Sequence, residues 1–228
     1  MDKMKNGAVL RNGTQRTAKE VFEKYAIVIA FLALLLVVSI LCSSFLTPSN
    51  LILVLNQTSI NGILAVGITY VLITAGIDIS IGSVVGLSGV ISAMVVKAGA
   101  PLPVGFLCGI LAGTLVGVII GILVTKGKLA PYIVTLGFLT IIRGAALLIA
   151  GGRPISSLGD AYGWIGNHNV FGVIPCPVII FLIVVVIGHI ILAHLQIGRY
   201  IYAVGGNSNA AEACGISPNK VKMFVHVF

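Results

Sequence analysis

Residues 102–125 read LPVGFLCGILAGTLVGVIIGILVT and contain no charged side chain. A bilayer core is crossed by a helix of roughly 18–25 apolar residues, and this stretch is long enough to do it. Working outward, further apolar runs of spanning length lie at 25–46, 51–74, 79–96, 131–150 and 174–195. The chain as a whole is 58% hydrophobic and only 9% charged, with a mean hydropathy of +1.13. A soluble domain could not bury so much apolar surface, so lipid must serve as solvent. The period-two alternation of barrel strands is absent. The expected fold is therefore an all-α, polytopic membrane bundle. It has six complete transmembrane helices, and residues 223–228 open a seventh.

Charge sets the expected orientation. With the N-terminus in the cytoplasm, eleven Lys and Arg side chains fall on the inner side, and only Lys97 and Arg153 fall outside. That is a strong positive-inside bias, and it predicts a cell-membrane protein with a cytoplasmic tail over residues 1–24. The net charge of +8 then reports topology and contact with anionic headgroups. Nucleic acid is not an expected partner, because the basic residues form no stripe. The first span lacks a small-x-small cleavage site and follows a long basic region, so it reads as a retained anchor. Cys42, Cys108, Cys176 and Cys214 share no metal-like spacing and read as small hydrophobes.

Two polar segments interrupt the apolar pattern. Residues 198–222, GRYIYAVGGNSNAAEACGISPNKVK, form a basic loop rich in small residues on the inner side. Asn209 is expected to cap a short helix, with Glu212 three residues later reaching back to the cap. Gly215 supplies a left-handed closing residue, and Pro218 prevents continuation. A helix of about one and a half turns is marginal alone, which predicts docking on a partner. Residues 74–83, TAGIDISIGS, hold Asp78, the one carboxylate near the membrane core. It reads either as a functional group or as a cap for the third helix.

The second span carries Gln57 and Asn61, four residues apart and so on one helix face. They could line a substrate path, or they could hydrogen-bond between helices. The third span interleaves Gly82, Gly86, Gly89 and Ala93 with Ser83, Ser88 and Ser92, a composition that lets helices approach closely. Ser88 with His189 is the minimum a serine intramembrane protease would need. Arg143 lies within the fifth span and is expected to snorkel outward or to bind loop carbonyls, away from Asp78. Tyr162 and Trp164 in the outer loop read as headgroup anchors. Neither a Walker A sequence nor a complete dinucleotide fingerprint occurs, so no cofactor is expected and any ATPase must be a separate polypeptide.

Residues 72–89, LITAGIDISIGSVVGLSG, and 197–222, IGRYIYAVGGNSNAAEACGISPNKVK, closely resemble signatures of the ribose-type (ribose, xylose, galactose) ABC transporter permeases. The resemblance extends through LNQTSINGILAVGITYVLITAG at 55–76 and GFLTIIRGAALLIAGGRPI at 137–155. It implies a transmembrane permease subunit of an ATP-driven importer for ribose or a related small sugar, with no enzymatic activity of its own. The implied partners are cytoplasmic ABC ATPase subunits, an extracytoplasmic sugar-binding protein and a second permease copy. Residues 25–197 become the permease region and 198–222 the coupling loop seated on the ATPase. Within that loop Gly205, Gly206, Asn207, Ala210, Ala211 and Gly215 match the family pattern, and Asn209 and Glu212 lie among them. Cys214 departs from it, standing where Ser is expected. Gln57, Asn61 and Asp78 are the expected pathway residues. Family members continue beyond this loop with more helices, so the chain is expected to be truncated. An ion-coupled transporter using Asp78 is the alternative reading, and the serine protease a remote one.

Overall fold

A computed structural model describes residues 23–227 apart from positions 171 and 173. The expected tail, residues 1–24, lies outside the described residues up to position 22. The chain divides into two compact units that meet between Val54 and Leu55. The first contains helix α1, Glu23–Leu41. It also contains the start of α2, Pro48–Ile73, where Asn50 Nδ2 donates to the Phe45 carbonyl at 2.8 Å.

The second unit holds the remainder of α2 and the helices α3 (Ile81–Lys97), α4 (Leu102–Thr125), α5 (Pro131–Ile149) and α6 (Asp160–Asn167). After a two-residue antiparallel pair, β1 (Asn169–Val170) with β2 (Ile174–Pro175), come α7 (Cys176–Ala193), α8 (Gln196–Gly206), α9 (Ser208–Ala213) and α10 (Pro218–Val227). Five helices (α1, α2, α4, α5 and α7) are long and apolar enough to cross a membrane, and α3 is an apolar helix of 17 residues. The fold is an all-α, multi-pass membrane bundle. Proline marks many helix starts: Pro48, Pro131 and Pro218 open their helices, and α4 and α7 each have one in their first two positions. There the absent N–H is an orphan in any case.

Helices α3, α4 and α5 form one packed layer around Leu87, Val116, Ile120, Val124, Val134 and Ile142. The register of α3 on α5 is fixed by two hydroxyls. Thr135 Oγ1 donates to the Ile77 carbonyl at 3.3 Å, and Ser83 Oγ donates to the Leu139 carbonyl at 2.9 Å. Both numbers rise together, so the two helices run parallel. The contact of α4 with α3 descends: Gly105 meets Ser92 and Val96, Gly109 meets Ser88 and Ser92, and Gly113 meets Val84 and Ser88. These helices are antiparallel. Elsewhere α2 joins α7, with the Tyr70 hydroxyl donating to the Gly188 carbonyl at 2.8 Å and Gly62 facing the Phe181 ring.

Candidate functional site: the α8–α10 segment and the Asp78 cavity

The segment from α8 to α10 is amphipathic and folds onto the end of α2. Tyr70, Val71, Ile201, Val204, Ala211, Val221 and Val225 are buried together in one core. Ile201 and Val204 lie three apart on α8, and Val221 and Val225 lie four apart on α10, so each helix presents one apolar face. Gly205 allows the closest approach: a β-carbon there would overlap the Ile73 carbonyl oxygen. Its neighbour Gly206 is exposed, and a β-carbon there would meet nothing within 4 Å.

The cap of the short helix is Asn207, not Asn209. Asn207 Oδ1 accepts the amides of Asn209 and Ala210, both at 3.0 Å, and its extended backbone (φ −158°) is what a cap requires. Asn209 and Glu212 sit within α9 and are exposed. The spacing of Asn209 to Glu212 imitates a capping box, but α8 runs as far as Gly206 and fixes the turn two residues earlier. Gly215 does take the left-handed conformation, φ +83°, and donates to the Glu212 carbonyl at 2.9 Å. Pro218 ends nothing; it starts α10. Residues 223–227 are the second half of that helix. In α9 only Ala211 turns inward, at 5% exposure, while Asn209, Ala210, Glu212 and Ala213 form an outward rim.

From this core α10 reaches α4. Gly117 packs against the backbone carbonyl of His226, and a β-carbon at Gly121 would lie 2.6 Å from the Met223 sulfur. Gly105, Gly109, Gly113, Gly117 and Gly121 thus form a single stripe at four-residue spacing, shared between α3 at one end and α10 at the other. This stripe is not among the expected site features, yet it ties α4 to both neighbours. Its signal is glycine at every fourth position of an uncharged apolar run, a spacing that lets helices approach closely.

Between α2, α3, α4 and α10 lies a cavity of about 310 Å³, into which Asp78 and His226 both face, with Gly67, Gly113 and Gly117 in its wall. Asp78 Oδ1 accepts from the Ser80 amide at 2.8 Å and from the Ser80 hydroxyl at 2.7 Å. Asp78 therefore pins the entry to α3 and lines the cavity as well. The preceding turn is tightened by Ala75, which holds φ +58°, and by Gly76, which donates to the Val71 carbonyl at 3.0 Å. His226 Nδ1 bonds the Lys222 carbonyl at 2.8 Å, while its Nε2 is buried without a partner.

The other candidates are placed elsewhere. Gln57 and Asn61 are exposed on α2 and do not line this cavity, although the neighbouring Asn56 Oδ1 is buried and unpartnered. Ser88 lies against Gly113 of α4, whereas the His189 ring sits edge-on to His194 at 5.7 Å. No serine–histidine pair is assembled there. Tyr162 folds back onto the bundle, stacking on Phe106 at 5.8 Å, and Trp164 stacks on His168 at 4.4 Å.

Residues 50–228 match the family described as branched-chain amino acid transport system / permease component. The chain belongs to that family. It is 40% identical over 207 residues to the ribose import permease protein RbsC of Bacillus subtilis (strain 168), a match covering 90% of this chain and 64% of that protein. The same-named protein of Haemophilus influenzae is 42% identical over 205 residues, covering 86% of this chain and 62% of the relative. The L-arabinose transport system permease protein AraH of Escherichia coli (strain K12) is 30% identical over 207 residues, covering 91% and 63%. The chain thus spans less than two thirds of the length of these relatives. No solved structure matches it.

Proposed function

We propose that the chain is the membrane-spanning subunit of an ATP-binding-cassette importer that carries ribose or a related small sugar across the cell membrane. Its relatives at 38–42% identity bear the name of ribose import permeases. The observation that carries the mechanism is the continuous core linking Ala211 of α9 to Tyr70 and Val71 of α2 and to Val221 and Val225 of α10. Packed cores move as rigid pieces, not by gradual deformation. A push on the exposed rim of α9 is therefore passed to α10, whose far end lines the Asp78 cavity.

In this reading ATP is hydrolysed in separate cytoplasmic subunits, and residues 198–222 seat on them. The rim of Asn209, Ala210 and Glu212 makes the contact, Ala211 transmits it, and Gly205, Gly206, Asn207 and Gly215 shape the turns. The transmembrane region is 25–197, the N-terminus is cytoplasmic, and a second permease copy and an extracytoplasmic sugar-binding protein complete the importer. Asp78, Gln57 and Asn61 supply hydrogen-bond acceptors and donors suited to sugar hydroxyls.

Two measurements test this. Cys214 is an exposed thiol at the end of α9, so in a background with Cys42, Cys108 and Cys176 each replaced by Ser an impermeant maleimide should label it in inverted vesicles and not in intact cells. Labelling from the outside would overturn the orientation and the coupling role together. Uptake of labelled ribose by cells carrying the assembled importer should stop on ATP depletion and fall with Asp78→Ala, Gln57→Ala or Asn61→Ala. Uptake that survives ATP depletion and collapses with the proton gradient would establish ion coupling through Asp78 instead.

A further inference from the structure

Between α3 and α5 runs a groove of about 680 Å³. Its wall on α3 is apolar, from Val85, Val90 and Ala93, with Gly86 and Gly89 between them, where a β-carbon would meet nothing within 4 Å. Its other wall is apolar, from Ala146 and Leu147. Two guanidinium groups, Arg143 and Arg153, line it, and no described carboxylate does.

We propose that this groove binds an anionic phospholipid. Arg143 and Arg153 hold the phosphate, and an acyl chain lies along the Gly86 and Gly89 face of α3. Arg143 lies six residues, about 9 Å of helical rise, before the end of α5, close enough for its side chain to snorkel to the level of Arg153. Charge complementarity selects the occupant. A polypeptide helix would have to bring carboxylates to that depth, which is costly. A phospholipid already carries its phosphate at the headgroup level and its apolar chains below. The helix-packing role read from the small residues of α3 is carried by Ser88 and Ser92, which meet the glycines of α4. Among the described residues no helix packs against the β-carbon positions of Gly86 and Gly89, and the Gly89 carbonyl accepts from the Tyr162 hydroxyl at 3.5 Å at the groove's edge.

The test uses the purified protein in nanodiscs of equal parts phosphatidylglycerol and phosphatidylcholine, followed by native mass spectrometry of the released protein. Each guanidinium near the surface raises affinity for anionic lipid roughly fivefold. Retained phosphatidylglycerol should therefore exceed phosphatidylcholine by about twenty-five-fold. Arg143→Gln with Arg153→Gln should abolish the preference, and Lys126→Gln with Lys128→Gln, at the opposite end of α5, should preserve it. Gly89→Leu projects into open space, so the fold is kept while the groove is filled, and lipid retention should be lost without any change of charge. Equal retention of the two lipids by the unsubstituted protein overturns the proposal, as does phosphatidylglycerol that persists in the double glutamine variant. Displacement of the lipid by inorganic phosphate, or a lipid-free dimer protected at Gly89, equally overturns it.

Discussion

Gly205 is the tightest point between the α8–α10 segment and α2, and replacing it by alanine measures how that contact is made. The added β-carbon would sit on the Ile73 carbonyl oxygen, with the Thr74 Cα 3.4 Å away. Carbon–oxygen contacts settle near 3.5 Å, so α8 must withdraw by about 2 Å. Both obstructing groups are backbone and cannot rotate aside. Withdrawal loosens Ile201 and Val204, which are 0% and 2% exposed. Overpacking against rigid neighbours costs about 3 kcal/mol, and the helix preference of Ala over Gly returns about 1 kcal/mol. The net expectation is a destabilisation of about 2 kcal/mol, a roughly thirtyfold rise in local opening. Hydrogen exchange of the amides from 200 to 205, measured by mass spectrometry in a fixed detergent, reads this directly. Gly206→Ala is the internal control, since its β-carbon meets nothing within 4 Å, and it should be neutral or slow exchange slightly. Equal exchange in the two variants would refute the seam between α8 and α2.

Other outcomes follow from single contacts. Asn207→Ala removes the acceptor of two amides and should lower stability by about 1 kcal/mol in denaturant titration, whereas Asn209→Ala should change it by a few tenths. The reverse order would reinstate Asn209 as the cap. Ala75→Gly relieves a left-handed alanine and should stabilise the protein by about 1 kcal/mol in the same titration; a loss of stability would show that the Ala75 methyl matters more than its backbone. Tyr70→Phe deletes the bond to the Gly188 carbonyl and should cost about 1 kcal/mol, with faster exchange confined to the α2–α7 contact. Global unfolding with no local change would contradict that assignment.

Much of the architecture could be read along the chain. The expected run at 102–125 coincides with α4, and the run at 131–150 ends one residue beyond α5. Span length is a local property of composition, and the prolines at helix starts sharpen it. The cap was misplaced because Asn207 and Asn209 carry the same side chain two residues apart, and only the docking of α8 on α2 decides which one is extended. The apolar run from 223 belongs to a helix whose start, Pro218, the apolar pattern did not mark. Val221 and Val225 in that helix are buried against α8 and α2, a burial only the tertiary structure supplies.

Composition alone determined that this protein lives in lipid, that it crosses it many times and which polar segments interrupt the apolar runs, since each is a sum over neighbouring residues. Tertiary structure alone decided that the glycine stripe of α4 serves two partners. It also brought Asp78 and His226, separated by most of the chain, to one cavity, and left the Gly86 and Gly89 face of α3 open beside two arginines. Those outcomes depend on which surfaces meet, and a one-dimensional pattern states only which surfaces could.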